Sequence, residues 1–336
     1  MKILIVGAGG FIGGFIANEA LKRGYDTYIA VRETTSRRYL SDERLKFVVL
    51  DYDDKEQIRS ALTEALPEGE KWDYIIYNLG ATKALNFLEF KHVNYQYLCN
   101  FTAALKEADL TPKKLLYTSS LSAIGEYDEE NYTPAKTDQP ANPNTAYGLS
   151  KLQAENHLEN IAGIPYIIFR PTGVYGPHEK DYLMMIKSID RHFDFSVGFK
   201  KQLLTFIYVD DLVAAMFDAL ASDAVNKKYF ISEGKAYTQG EFRQIVAEEL
   251  GGRFVIPIKL PLWALYVVSY ISEKWGKIRL QPTTLNRDKY KIMRQRNWDC
   301  DISDAVRDFG FSPKFSLRDG IRATVAAYKN SKQCET

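Results

Sequence analysis

The chain opens with MKILIVGAGGFIGG, residues 1–14, in which an apolar run is followed by a glycine-rich turn. The run from Ile3 to Val6 is short and rich in β-branched residues, which is typical of a buried parallel strand. A helix is predicted to follow from Phe15 to Arg23. Glycine lets backbone N–H groups and a helix N-terminus approach a pyrophosphate, so this order predicts a dinucleotide site. The turn has three glycines at intervals of three residues: Gly7, Gly10 and Gly13.

Apolar runs alternate with helical segments as far as about residue 170. This alternation is typical of an α/β fold with a Rossmann-type, doubly wound parallel sheet. We assign residues 1–170 to the nucleotide-binding domain, to which a segment near residues 204–225 returns. Residues 171–203 and 226–330 are assigned to a smaller, interleaved C-terminal substrate region. The predicted strands are Lys2–Val6, Asp26–Val31, Leu45–Leu50, Tyr74–Tyr77, Lys114–Tyr117 and Tyr166–Arg170.

Tyr147 and Lys151 are separated by three residues. Positions four apart lie on one face of a helix, so the ammonium of Lys151 can act beside the Tyr147 phenol. A free tyrosine titrates near pH ~10, and a neighbouring cation favours its phenolate. The spacing therefore predicts Tyr147 as a proton donor or acceptor near neutral pH. The alternative is an exposed helix pair with no function.

Two further segments extend this pattern: FRPTGVYGP at residues 169–177 and FIYVDDL at residues 206–212. Together with the G-x-x-G-x-x-G spacing and the Tyr147/Lys151 pair, they resemble the extended short-chain dehydrogenase/reductase superfamily, the NAD-dependent epimerase/dehydratase family. The resemblance covers nearly the whole chain. It is most similar to the 3β-hydroxysteroid dehydrogenase and dihydroflavonol reductase-like group, and it implies a nicotinamide cofactor and hydride transfer.

The resemblance also implies roles for single residues. Ser120 takes the place of the catalytic hydroxyl that binds the substrate oxygen, with Ser122 as the alternative, while Ser119 is expected to satisfy backbone groups. Asn94 matches a residue that supports the active-site backbone. The residues expected to contact the cofactor are Gly7, Gly10, Phe11, Ile12, Gly13, Arg32, Arg37, Asp51, Tyr52, Leu79, Gly80, Ala81, Lys151, Pro171, Gly173 and Val174.

The second predicted strand leads into Arg32, where NAD-binding Rossmann folds have an acidic residue for the ribose 2′-OH. A guanidinium suits a 2′-phosphate, and Arg37 and Arg38 follow in the same loop. These residues favour NADP(H). NAD is the alternative if Arg32 stacks on the adenine. Asp51 matches the family position that contacts the adenine amino group.

Sugar-nucleotide epimerases and dehydratases of the family usually carry an arginine for the diphosphate where this chain has Leu204. An apolar side chain cannot pair with a phosphate, although Lys200 and Lys201 are close. We therefore expect NADP(H)-dependent reduction of a ketone, or oxidation of a secondary alcohol, on a bulky apolar or lipid-like substrate. Candidates are a 3-oxo lipid, a keto-sphingoid base or a sterol. The alternatives are an NAD-dependent sugar-nucleotide epimerase or dehydratase and a non-catalytic NADP-binding scaffold.

Charge and cysteine content limit the ligands and the cellular compartment expected for the protein. A net charge of +1 over 336 residues gives no nucleic-acid footprint. The cysteines, Cys99, Cys300 and Cys334, are odd in number and far apart, which favours a reducing, cytoplasmic compartment. No spacing of cysteine and histidine indicates a metal site.

Two segments are candidates for contacts with other molecules. Helices around Phe87–Leu105 and Ala146–Asn160 correspond to those that family members pair in a dimer, so we expect a homodimer. The apolar run from Leu260 to Ile271 is shorter than the ~20 residues that span a bilayer. It is predicted to be a buried helix of the substrate region, an apolar lid, or a surface in peripheral contact with a membrane.

Overall fold

The structure, a computed structural model, describes residues 1–279, 281 and 283–333. The strands of this part of the chain are numbered in chain order. They are β1 (Lys2–Val6), β2 (Asp26–Val31), β3 (Lys46–Val49), β4 (Tyr74–Tyr77), β5 (Lys114–Thr118), β6 (Tyr166–Pro171), β7 (Gly173–Tyr175), β8 (Phe193–Val197), β9 (Leu203–Tyr208), β10 (Lys227–Ile231), β11 (Ala236–Thr238) and β12 (Ile256–Leu260).

Seven strands form one parallel sheet in the order β10-β6-β5-β4-β1-β2-β3. This confirms the predicted Rossmann-type, doubly wound fold. Residues 227–231 pair with β6 and so add a seventh strand to the six that were predicted. The chain runs from β1 outward to β3 and then returns to β4 on the other side of β1. In open sheets of this kind, ligands bind at such a reversal, beyond the carboxyl ends of the strands.

The helices flank this sheet and cover the substrate region. The first helix begins at Phe11 and not at Phe15 as predicted, because the backbone of Gly10 is already extended and forms the N-cap. A π-helix, His92–Gln96, joins the third helix to the fourth, and a 3-10 turn, Leu121–Ala123, follows β5. The α-helices are α1 (Phe11–Lys22), α2 (Lys55–Glu64), α3 (Phe87–Lys91), α4 (Tyr97–Glu107), α5 (Ala146–Asn160), α6 (Lys180–Asp190), α7 (Val209–Ala221), α8 (Gln239–Glu249), α9 (Leu262–Arg279), α10 (Arg287–Arg294), α11 (Ser303–Phe309) and α12 (Leu317–Gln333).

Successive residues of β1 enter two separate cores. Ile3 and Ile5 pack with side chains of α1 and α7, whereas Leu4 and Val6 pack with side chains of α2, α4 and α5. All four are fully buried. Because both faces of the sheet are covered, the strand is apolar at every one of these positions and does not alternate.

The substrate region is built from two small sheets and their helices. β7, β9 and β11 form a three-stranded sheet, and β8 and β12 form a parallel pair. Apolar side chains of α6, α8 and α12 pack against the three-stranded sheet. α7, between β9 and β10, packs against α1 of the nucleotide-binding half. The two halves are therefore interleaved in the chain.

The apolar run from Leu260 to Ile271 lies at the end of β12 and in α9. Its interpretation as a buried helix is wrong, because the buried residues of α9 are Leu265, Ser269 and Gly276, and its largest apolar side chains are exposed. Within the described parts of the chain, none of the helices combines the length and the apolar character that crossing a bilayer requires.

Candidate active site

The glycine turn brings the end of β1 against the end of β4. Gly7 has a φ of +87°, and a Cβ on it would lie 2.6 Å from the backbone nitrogen of Leu79. A Cβ on Gly13 would lie 2.3 Å from the carbonyl oxygen of Gly7. α1 begins directly after Gly10, so its first-turn N–H groups lie at this edge of the sheet. The turn thus has the form of a helix-terminus site for an anion.

Lys151 lies on α5 with its ammonium buried at the same edge. Its Nζ donates a hydrogen bond to the carbonyl oxygen of Thr118 at 2.8 Å, and a Cβ on Gly80 would come within 2.9 Å of that Nζ. Burial lowers the pKa of Lys151 to about 8, and the Glu155 carboxylate opposes this shift. A ligand that passes over Gly80 would therefore meet this ammonium.

Tyr147 lies one helical turn before Lys151. Its phenol lies beside the Ser120 hydroxyl, which accepts a hydrogen bond from the backbone N–H of Ser122 at 3.1 Å. Burial raises the pKa of Tyr147, and the Ser120 hydroxyl opposes this rise. The expected lowering of that pKa by Lys151 is not observed, since the ammonium is directed to the Thr118 carbonyl. Tyr147 is therefore a protonated donor at neutral pH.

Asn94, in the π-helix, clamps the backbone that follows β4. Its side-chain oxygen accepts a hydrogen bond from the Ala81 N–H at 2.7 Å, and its amide nitrogen donates to the Ala81 carbonyl at 3.1 Å. The same amide donates to the hydroxyl of Ser150 on α5 at 2.9 Å. These bonds fix the turn beside Gly80, as the family resemblance implies for Asn94.

A buried ion pair lies beneath the site. The Nη2 of Arg170 is 2.6 Å from Oε2 of Glu155, and the two side chains are 1% and 0% exposed. Ser119 donates its hydroxyl proton to the same carboxylate. The expectation that Ser119 satisfies backbone groups is therefore wrong, because a charged acceptor makes the stronger hydrogen bond. The pair joins α5 to β6, and thereby fixes the helix that carries Tyr147 and Lys151.

Arg32 is exposed at the carboxyl end of β2. Its backbone N–H donates to the Thr35 hydroxyl at 2.9 Å, which shapes the loop that follows. Arg37, in the same loop, stacks its guanidinium on the ring of Phe47 at 4.3 Å. The guanidinium of Arg37 is therefore already in contact with Phe47, whereas Arg32 lies nearer to the end of β2.

Asp51 and Tyr52 follow β3, beside Arg32. The ring of Tyr52 is buried and stacks on Tyr97 at 5.4 Å. Burial raises the pKa of Tyr52, and the charge of Arg32 opposes this rise, which shows that the two side chains are neighbours. The side chain of Tyr52 belongs to the core, so its backbone is the part that can contact a ligand.

The remaining predicted residues lie at strand ends and in the turn. Pro171 ends β6 and is buried, and Gly173 and Val174 begin β7. A Cβ on Gly173 would lie 2.0 Å from the hydroxyl oxygen of Tyr182, so packing against α6 already explains this glycine. Leu204, in β9, packs into the core of the substrate region. Within the described residues, no group of three or more His, Cys, Asp or Glu side chains is placed to hold a metal.

A pocket of about 230 Å³ opens beside Tyr147. Ser122 and Phe90 line it from the nucleotide-binding half. On the opposite side Asp181 accepts hydrogen bonds from the ammonium groups of Lys83, at 3.2 Å, and Lys289, at 3.3 Å. The wall of the pocket is therefore polar and charged close to the tyrosine.

Asp288 links α10 to the helix that carries the tyrosine. Its carboxylate accepts hydrogen bonds from the backbone N–H groups of Ala146 and Tyr147, at 3.0 and 3.1 Å. A negative charge is favourable at a helix N-terminus. No local motif marks Asp288, Lys83 or Asp181, because their contacts join distant parts of the chain.

A family model described as the NAD dependent epimerase/dehydratase family matches residues 3–232. A putative UDP-glucose 4-epimerase of Methanocaldococcus jannaschii is 26% identical over 98% of this chain and 99% of its own length. The short-chain dehydrogenase/reductase family 42E member 1 of Danio rerio is 27% identical over 96% of this chain and 87% of its own length.

The fold is shared with solved structures at low identity. The UDP-glucose 4-epimerase of Thermotoga maritima, solved with UDP-glucose, has a TM-score of 0.78 and 19% identity, with 99% of this chain and 100% of that one covered. The Thermus thermophilus UDP-glucose 4-epimerase in complex with NAD has a TM-score of 0.75 and 20% identity, with 98% and 100% covered. The chain belongs to the NAD dependent epimerase/dehydratase family, within the extended short-chain dehydrogenase/reductase superfamily of NAD(P)-dependent enzymes.

Proposed function

We propose that this protein is an NADP(H)-dependent oxidoreductase that reduces a ketone, or oxidises the corresponding secondary alcohol, on a bulky lipid-like substrate. A 3-oxo lipid, a keto-sphingoid base or a sterol has the required chemistry. The observation that carries the proposal is the Tyr147 phenol at the edge of a pocket, with the Ser120 hydroxyl beside it and the Lys151 ammonium one helical turn along α5.

The chemistry follows from the state of each side chain. Ser120 and Tyr147 bind the substrate oxygen, and a bound nicotinamide dinucleotide supplies the hydride. Tyr147 gives its phenolic proton to that oxygen, and its raised pKa keeps the proton available at neutral pH. Lys151 carries a positive charge below a pH of about 8, and its ammonium, beside Gly80, would hold the ribose of the cofactor. Because the raised pKa leaves the Tyr147 phenol protonated at neutral pH, the state that donates a proton, reduction is the direction we propose.

The edge of the sheet fits a dinucleotide by its shape. Gly7 and Gly13, where a Cβ would collide with backbone, let the turn pack closely enough to leave the first-turn N–H groups of α1 at this edge. Arg32 supports NADP(H), because a guanidinium pairs well with a 2′-phosphate. NAD is the alternative, since the matching family model is described as NAD dependent and the Thermus thermophilus structure is a complex with NAD.

Titration of both cofactors by fluorescence tests this preference. We expect NADPH to bind more tightly than NADH, and Arg32→Asp to erase or reverse the preference by about tenfold or more, the effect of ~1.4 kcal/mol. Arg59→Asp is the control, because it makes the same change of charge at an arginine of α2 that pairs with Glu56. Equal affinity for the two cofactors in the unaltered protein would contradict the preference.

Two observations support an apolar substrate. Leu204 stands where the family's diphosphate-binding arginine is expected, and its packing into the core brings no charge to the site. α9, with exposed aromatic side chains, contacts α10, whose Asp288 and Lys289 line the pocket. A substrate with a polar head and a long apolar part suits this arrangement, since the head meets the charged wall and the apolar part can leave toward α9.

A sugar-nucleotide epimerase or dehydratase is the second candidate. The observation that favours it is the pair of ammonium groups, Lys83 and Lys289, on either side of Asp181. Two ammonium groups can bind a diphosphate that displaces the carboxylate. The names of the relatives from Methanocaldococcus jannaschii and Thermotoga maritima point the same way, at identities of 26% and 19%.

One assay separates these functions. NADPH consumption is followed with a panel of 3-oxo lipids and oxo-sterols, and UDP-, GDP- and dTDP-sugars are incubated in parallel and separated by chromatography. Ketone reduction with unchanged sugar nucleotides is the expected result. An epimerised or dehydrated sugar nucleotide without ketone reduction would establish the second candidate. Tight cofactor binding with neither activity would point to a non-catalytic scaffold.

We also propose a homodimer formed through α4 and α5, in a reducing, cytoplasmic compartment. Leu149 is an exposed apolar residue on α5, which supports a contact at this helix. Cys99 and Cys300 are free thiols, which supports the compartment, while Cys334 lies outside the described residues. Light scattering that gives a monomer mass at micromolar concentration would contradict the dimer.

A further inference from the structure

The exposed side of α9 is more apolar than its buried side. Leu265, Ser269 and Gly276 face the protein, and Gly276 packs on Thr283 so closely that a Cβ would lie 2.7 Å from its methyl carbon. A surface helix of a globular domain has the opposite arrangement, with its apolar stripe turned inward. The exposed large apolar side chains of α9 are Leu262, Trp263, Tyr266, Val267, Val268, Tyr270, Ile271, Trp275 and Ile278.

The strand pair beside α9 enlarges this surface. β12 leads into α9, and the backbone N–H of Gly198, after β8, donates to the Leu260 carbonyl at 2.9 Å. Of the 22 exposed large apolar side chains among the described residues, fourteen lie on α9, β8, β12 or the loops next to the strands. Such a concentration marks an interaction surface. We call it the apolar face; besides the α9 residues it contains Phe193, Phe195, Phe199, Phe254 and Ile256.

The apolar face carries positive charge. Between Arg253 and Arg279 the sequence has five basic residues and one acidic residue. The acidic residue, Glu273, is paired with Lys277 and Arg287, and Arg253 is paired with Asp190. Lys274 lies over the ring of Tyr270 at 5.6 Å and Arg279 over that of Trp275 at 5.4 Å. Neither has a carboxylate partner within the described ranges. Because these charges would repel a second copy of the same surface, an anionic partner fits better.

The chemistry of this surface is that of a membrane interface. Tryptophan and tyrosine are enriched at the level of the lipid headgroups, and lysine and arginine pair with anionic lipids there. A helix of 18 residues with one broad apolar side is long enough to lie in the plane of the interface. Protein partners are also recognised by apolar surfaces, but a broad aromatic surface edged by basic side chains favours a bilayer.

The apolar face is joined to the pocket through α10. The rings of Tyr266 and Tyr290 are 5.3 Å apart, and Arg287 pairs with Glu273 at 2.8 Å. Thr283 packs on α9 and also lines the pocket. A surface that contacts α9 therefore also borders the wall of the substrate pocket.

We propose that the apolar face docks the protein on the surface of an anionic lipid bilayer, with α9 lying in the plane of the interface. Docking does not require the proposed reductase activity, and it holds for the folded protein without substrate. The two proposals can therefore fail separately, because the test of docking uses no turnover.

Sedimentation with lipid vesicles tests the docking. The full chain is mixed with vesicles of phosphatidylcholine alone or with added phosphatidylglycerol. We expect binding to the anionic vesicles that weakens with salt, because part of the attraction is electrostatic. A blue shift of tryptophan emission is expected on binding, since Trp263 and Trp275 are 72% and 56% exposed. No binding to anionic vesicles would overturn the proposal.

Variants locate the contact. Trp263→Ser combined with Trp275→Ser is expected to weaken vesicle binding by about tenfold or more, because it removes the interfacial aromatic side chains. Val306→Ser is the matched control, an exposed apolar residue on α11 that should have no effect. Lys274→Gln with Arg279→Gln should reduce the preference for anionic vesicles.

Thermal unfolding of each variant shows whether it is folded. Vesicle binding that survives the double tryptophan variant would overturn the proposal. Light scattering without vesicles tests whether a second copy of the chain, and not a bilayer, covers the apolar face. If the same variant converts a dimer to a monomer while the unaltered protein binds no vesicles, the apolar face is a contact between two copies, and bilayer docking is wrong.

Discussion

The two walls of the pocket are held in place by different means. On the sheet side, Lys151, Asn94 and the Glu155–Arg170 pair are buried and hydrogen-bonded to groups of the central sheet and its helices. On the other side, α10 bears Asp288 and Lys289 and rests on α9, most of whose large side chains are exposed.

This difference has consequences for specificity and for stability. A buried network keeps the reacting groups in one geometry, and removing a member leaves an uncompensated charge. The α9–α10 wall is attached by fewer buried groups, so it can change in sequence without loss of the fold. We infer that the sheet side fixes the chemistry and that the α9–α10 side selects the substrate.

The largest effect should come from the group that transfers the proton. Tyr147→Phe keeps the ring and removes the hydroxyl that lies beside Ser120. We expect turnover to fall by about 10²–10⁴-fold, the contribution of general acid–base catalysis. The cofactor dissociation constant, measured by fluorescence, should change little. Near-normal turnover in this variant would contradict the assigned role.

Breaking the buried pair should damage the sheet side as a whole. Arg170→Met leaves the Glu155 carboxylate buried without its cation, so we expect the free energy of unfolding to fall by about 3–5 kcal/mol. Arg59→Ala, which removes an exposed partner of Glu56, is the control and should cost about 0–1 kcal/mol. Both are measured by urea unfolding. Equal losses would show that the buried network does not set the rigidity of this wall.

The sheet side could be predicted from the sequence because its determinants are local. The strand and glycine turn of residues 1–14 lie within one β-α unit, and Tyr147 and Lys151 lie within one helical turn. The start of α1 is less predictable: the helix begins at Phe11, four residues before the predicted Phe15. Periodicity does not reveal that Gly10 already has the extended backbone of an N-cap.

The other wall could not be predicted in this way. Asp288 reaches α5 across 142 residues, and Lys83 reaches Asp181 across 98. Such contacts depend on how the substrate region folds back over the sheet. The exposure of α9 could not be predicted either. An apolar run predicts burial unless it is known which of its side chains face inward. In α9 the small residues Ser269 and Gly276 lie on the buried side, whereas a surface helix usually buries its large apolar side chains.

The charge of Lys151 should make cofactor binding depend on pH. Burial lowers its pKa to about 8 from the usual 10.5, so the ammonium is lost as pH rises through about 8. Affinity for NADPH should then fall by up to about tenfold by pH ~9, where a tenth of the group remains charged. Lys151→Arg, which keeps its charge, should remove this dependence.

Stability should move in the opposite direction over the same range. Between about 8 and 10.5 the unfolded chain keeps the proton that the folded protein has lost, so ΔG of unfolding gains from this group as pH rises. Affinity and stability that fall together above pH ~8 would indicate general unfolding and not the titration of Lys151.

The smallest effect should come from the link between the two walls. Asp288→Asn keeps the size of the side chain but removes the charge that faces the N-terminus of α5, so we expect a loss of about 1 kcal/mol of stability. Asp223→Asn, which makes the same change of charge at an exposed position, should have no such effect. If α10 positions the substrate, Asp288→Asn should raise KM more than it lowers kcat, since the Tyr147 phenol itself is unchanged. A fall in kcat with unchanged KM would instead group Asp288 with the rigid residues of the sheet side. The division between a sheet side that fixes the chemistry and an α9–α10 side that selects the substrate would then not hold at this residue.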